Sequence, residues 1–103
     1  MAKIKPTLDN YQELVKKLVV ERGFDKETVP EVFLVFAEEV GEFAKTIRKA
    51  NNQKTNTDAR HHNMEDEAAD VFFMLIDLCN RLGIDLAKAF AAKEKKNQER
   101  TWS

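Results

Sequence analysis

From Ala68 to Cys79 the chain reads Ala-Ala-Asp-Val-Phe-Phe-Met-Leu-Ile-Asp-Leu-Cys. Wound as a helix, this run carries apolar groups round most of its circumference, so it demands burial on several sides, by its own domain and by another subunit. Elsewhere the apolar residues recur every three or four positions rather than alternating. Only three glycines and two prolines interrupt 103 residues, and together these features predict an all-α chain forming a single domain over residues 1–103.

Four helices are expected. Thr7 caps the first, with Leu8, Tyr11, Leu14, Val15 and Leu18 on one face and Gly23 near its end. Thr28 or Val29, with Pro30 in the first turn, opens a second that runs to about Asn51. Its apolar stripe is Phe33, Phe36, Val40, Phe43 and Ile47, and Glu39 and Glu42 sit roughly 60–120° round from the stripe's centre. Residues 51–63 are polar apart from Ala59 and read as an exposed loop, with His61 and His62 solvated rather than paired on a metal. The third helix is expected over residues 64–82, stopped by Gly83, and Asp85 caps the fourth, from Leu86 towards Arg100. Along one line of that last helix Leu86 and Phe90 give way to Lys93, Asn97 and Arg100. Either this line faces inward and ends in phosphate-binding groups, or its cations simply complement the helix dipole.

Acids stand out against these apolar helices. Glu39 and Glu42 lie three apart on the second helix, and Glu67 and Asp70 three apart on the third. Side chains at that spacing are neighbours, so two helices packed side by side would bring four carboxylates to one pocket. Such anions repel one another in a partly desolvated site, and a hard divalent cation with oxygen ligands relieves them. Mg²⁺ keeps positions open for water and phosphate oxygens, which suits phosphoryl chemistry on a nucleotide; Mn²⁺ is an alternative. The competing reading is four ordinary solvated acids.

The charge balance excludes several classes of partner. Lysine plus arginine total 17 and aspartate plus glutamate 18, too even for a nucleic-acid or anionic-membrane surface. The lone Cys79 cannot form an internal disulfide and falls within an apolar run, as expected of a packed thiol in a reducing compartment. The segment Met1-Ala-Lys-Ile-Lys-Pro6 has no apolar core of a signal peptide. A cytoplasmic protein is expected.

Taken together, Glu38-Glu39-x-x-Glu42, a spacer of 24 residues and Glu67-x-x-Asp70 resemble the acidic signature of the MazG-like all-α nucleoside triphosphate pyrophosphohydrolases. The likeness extends to Glu21-Arg22-x-Phe24, to Gly41, to Gly83-Ile84-Asp85-Leu86 and to Lys93-x-x-x-Asn97-x-x-Arg100. It implies a four-helix unit completed by dimerisation, as a homodimer or homotetramer. It implies Mg²⁺ held by Glu39, Glu42, Glu67 and Asp70, with Glu38 and Glu39 as the catalytic carboxylates. Lys93, Asn97 and Arg100 match positions that contact phosphates or sugar, and the implied reaction cleaves a nucleoside triphosphate between the α and β phosphates. Members similar to this chain that prefer deoxycytidine triphosphate place a histidine and large aromatics where Val15, Phe24, Lys49 and Met74 stand here. Only Phe24 keeps aromatic character, and Trp102 could stack on a base or pack on a partner. Phosphoribosyl-ATP pyrophosphohydrolysis and a non-catalytic helical dimerisation module stay open as alternatives.

Overall fold

The computed structural model describes residues 6–52 and 57–100. Four helices fill this span: α1 (Leu8–Glu21), α2 (Val29–Asn52), α3 (Thr57–Arg81) and α4 (Leu86–Glu99). Among the described residues there is no strand, and no helix is long and apolar enough to cross a membrane. Helix α3 is the centre: α2 packs along it, α1 packs on another side, and α4 rests on α1.

The helix ends follow from local chemistry. Thr7 accepts a hydrogen bond from Asn10 N, and Asp85 accepts one from Lys88 N, each satisfying a donor that the first turn leaves without a carbonyl. At the start of α2, Thr28 N donates to the Glu31 carboxylate while Glu31 N donates to the Thr28 hydroxyl, a reciprocal capping box. Gly23 and Gly83 sit at φ 76° and 70°. In that left-handed conformation Phe24 N reaches back to Val19 O and Ile84 N to Cys79 O, closing α1 and α3 alike.

Two polar side chains lock the helices together. Gln12 Nε2 donates to Asn80 Oδ1 and to Ile84 O, and Gln12 Oε1 accepts from Leu86 N, so one carboxamide on α1 joins the end of α3 to the start of α4. Arg81 donates through Nε to Asp77 Oδ1 at 2.8 Å and through its terminal nitrogens to the carbonyls of Phe24 and Glu27, tying the α1–α2 connection to α3. Between these ties lies a small core of Val15, Val19 and Ile76, with Phe73 and Leu86 packed against it.

Several expectations need correction. The polar stretch read as a loop over residues 51–63 is helical from Thr57 onward, so α3 begins seven residues early. Once the buried part of α3 exists, each added N-terminal residue gains a hydrogen bond without a new nucleus, and no apolar face is needed. His61 and His62 therefore have helical backbone; their side chains, like Trp102, lie outside the described residues. On α1, Val19 rather than Leu14 is buried. On α2 the expected stripe is turned: Phe33 is 54% exposed and Val40 and Ile47 are also open, whereas Val32 is fully buried. The less exposed positions Val32, Phe36, Glu39, Phe43 and Thr46 recur every three or four residues, so Glu39 falls on the packed line instead of beside it. The apolar arc of α2 is wider than one packed face, and periodicity cannot tell which part its own chain covers. On α4, Phe90 is 64% exposed rather than inward, because this helix packs on α1 near Leu86.

Candidate metal centre

Glu39 lies midway along α2, and Glu67 and Asp70 lie one turn apart on α3. Because α2 and α3 pack along each other, one carboxylate oxygen from each of the three falls within 4.8 Å of the other two. Glu39 and Glu67 are half-buried and Asp70 is exposed. Burial pushes the Glu39 carboxyl above its ordinary value, the negative charges of Asp70 and Glu67 push it further, and hydrogen bonds to those two groups favour its protonated form again.

The residues fit a divalent cation on their own chemistry. Glu67 Oε2 is shielded from solvent and has no hydrogen-bond partner among the described residues, an arrangement that costs free energy unless a positive group completes it. All three donors are hard carboxylate oxygens with no thiolate or imidazole in the group, which suits Mg²⁺ or Mn²⁺ better than zinc. Glu42, one turn beyond Glu39, is exposed and outside this group, as is Glu38.

Beside the acids opens a cleft of about 320 Å³ lined by Arg22, Glu39, Ala69, Asp70, Phe73 and Met74. Of the four positions compared for base preference, only Met74 lines it; Val15 is in the core, and Phe24 and Lys49 are exposed elsewhere. Phe24 is instead held by its carbonyl to Arg81. Lys93 and Asn97 lie on α4, which rests on α1, Arg100 caps its C-terminus, and none of the three lines the cleft. Arg22 is the residue that sequence reasoning missed. Its signal lies in Glu21-Arg22-x-Phe24, a segment in which the sequence marks only the aromatic as a site residue.

The strained acid group should register in thermal stability. A carboxyl whose folded pKa is raised takes up a proton more readily folded than unfolded. Its unfavourable contribution therefore grows as pH climbs from the ordinary carboxylate range through the raised value, and is absent below that window. Cation-free Glu39→Gln should accordingly melt a few degrees above the parent at pH 7.5, with the difference vanishing near pH 4. Mg²⁺ or Mn²⁺ should raise the parent's midpoint saturably and leave that of Glu39→Gln nearly unmoved. Differential scanning calorimetry at the two pH values, with and without cation, measures both; equal midpoints throughout would remove the strained-cluster account.

No curated protein matches this chain. The family description "MazG nucleotide pyrophosphohydrolase domain" matches residues 27–102, a span that includes all five acids of the signature together with Lys93, Asn97 and Arg100. With an all-α, four-helix fold and most of its length inside that match, the chain belongs to the MazG nucleotide pyrophosphohydrolase domain family.

Proposed function

We propose that this chain, acting as one domain, hydrolyses (deoxy)nucleoside triphosphates at the α–β phosphate bond, with Mg²⁺ as cofactor, to a nucleoside monophosphate and pyrophosphate. The observation that carries the reading is the convergence of Glu39, Glu67 and Asp70 from two helices beside an open cleft, in a family whose description is nucleotide pyrophosphohydrolysis. Glu39, Glu67 and Asp70 hold the cation, and Glu42 completes the set from the next turn of α2. When bound, the ion supplies positive charge against the phosphate oxygens.

The chain's own residues account for the remaining steps. Water attacks the α-phosphorus, its proton passes to a carboxylate of the Glu38–Glu39 pair, and the bond to the bridging oxygen breaks with pyrophosphate leaving. A carboxylate within reach of the attacking water supplies the general base that this step needs. Phe24, Lys93, Asn97 and Arg100 serve as substrate contacts in a homodimer or homotetramer. Support for an assembly comes from the apolar side chains that one chain leaves open on α2 and α4, Phe33, Leu34 and Phe90 among them. Removal of surplus or non-standard nucleotides in the cytoplasm is the role that fits such a reaction.

A panel of nucleoside triphosphates incubated with Mg²⁺ should release monophosphate and pyrophosphate in equal amounts. Orthophosphate as the only inorganic product would overturn the cleavage position. Turnover of phosphoribosyl-ATP alone would move the substrate to that compound, and absence of both cation binding and turnover would leave a dimerisation module.

A further inference from the structure

We infer that Arg22 is the group that holds the substrate's polyphosphate in the cleft beside the acids. The inference rests on the proposed triphosphate chemistry and adds a contact that the α4 groups do not supply to this cleft within one chain.

The position of Arg22 is fixed from its backbone outward. It caps the C-terminus of α1, with its N–H on Leu18 O at 2.9 Å, and the left-handed Gly23 that follows turns the chain so that Phe24 N closes on Val19 O. The side chain leaves this rigid corner and lays its guanidinium carbon 5.6 Å from the centroid of the Phe73 ring. Phe73 in turn packs on Val15, Val19 and Ile76. A cation seated over a ring that is itself held by the core has a defined place rather than a free sweep through solvent.

What surrounds the guanidinium decides its use. The same cleft is lined by Glu39 and Asp70, by Ala69, Phe73 and Met74, and Arg22 is its only cation among the described residues. No ion pair within 4.0 Å and no side-chain hydrogen bond ties Arg22 to another described residue, so its donors are uncommitted next to the acids. A planar guanidinium with five N–H donors matches phosphate oxygens in pairs, while Ala69, Phe73 and Met74 leave an apolar wall for the rest of the nucleotide. Arg22 thus shares the cleft with the acids, and a phosphate chain with its cation can bridge the two.

Calorimetric titration with a nucleoside triphosphate carrying a non-hydrolysable α–β imido link, and separately with the bare nucleoside, separates this role from a structural one. Arg22→Met keeps a stem on Phe73 and removes the charge; Arg22→Lys keeps the charge and removes the fork. In the presence of Mg²⁺, Arg22→Met should weaken triphosphate binding about 10–100-fold, flatten its salt dependence, and leave nucleoside binding unchanged. Arg22→Lys should fall between it and the parent. Unchanged triphosphate affinity in Arg22→Met, equal losses for triphosphate and nucleoside, or the same loss in both variants would each overturn the assignment. A parent protein that binds no triphosphate would instead sink the proposed function, and this inference with it.

Discussion

Glu39→Gln or Asp70→Asn is expected to lower triphosphate hydrolysis by about 10³-fold, with helical content by circular dichroism unchanged. The size follows from charge: positioning a cation against phosphate oxygens contributes several kcal/mol at the transition state, and each ~1.4 kcal/mol is a factor of ten. Each substitution removes the negative charge of one of three carboxylates whose oxygens group within 4.8 Å, so neither loss can be absorbed by a neighbour already in place. Both side chains keep their volume, and Asp70 is exposed, so packing is not at stake. Two further substitutions sharpen the result. Glu38→Gln should cost about 10–100-fold, the range of a group that supports ligands without being one. Glu42→Gln should cost as much as Glu39→Gln if its carboxylate joins the cation in the working enzyme. Initial rates of pyrophosphate release across the four variants decide the matter. Full activity in both Glu39→Gln and Asp70→Asn would refute the two-helix clamp.

Asp77→Ala is expected to be the most destabilising single substitution outside the apolar core, at about 3–5 kcal/mol. Asp77 is 5% exposed and pairs with Arg81, whose guanidinium also serves the carbonyls of Phe24 and Glu27. Removing the carboxylate leaves a largely buried cation with only dipoles for company, and the corner between α1 and α2 loses its anchor's charge balance. For a domain of this size the melting midpoint should fall by about 15 °C or more. The double variant Asp77→Leu with Arg81→Met should recover part of that loss, because an apolar pair avoids desolvating two charges. Denaturant melts of the three proteins test the claim; a single variant that melts with the parent would mean that the pair contributes nothing.

The sequence made the ends of the helices more legible than their faces. Thr7, Thr28, Gly23, Gly83 and Asp85 act through bonds to residues within five positions, so their roles could be read from the local string. The start of α3 was hidden because its first residues are polar apart from Ala59 and its backbone borrows stability from the buried turns that follow. The rotation of α2 was hidden for another reason. Both Phe33 and Phe36 are apolar, and only the position of α3 decides that Val32 is sealed while Phe33 faces out. Glu39, Glu67 and Asp70 were legible as a group because spacing along two packed helices nearly fixes their meeting. Arg22 was not, since it reaches the cleft from a third element, and no spacing rule relates a helix C-cap to acids on two other helices.

Gln12 carries a liability of a different kind. Its amide gives hydrogen to Asn80 and to Ile84 O and receives one from Leu86 N, while Asn80 Nδ2 donates to Gln12 O. Every one of these bonds depends on which end of a carboxamide is nitrogen. Hydrolytic deamidation, which exchanges that nitrogen for oxygen at almost no change in shape, would set a carboxylate against the Ile84 carbonyl and the Asn80 side-chain oxygen, where acceptors would face acceptors. The junction of three helices therefore has a chemical shelf life, written into the polarity of one amide rather than into its size.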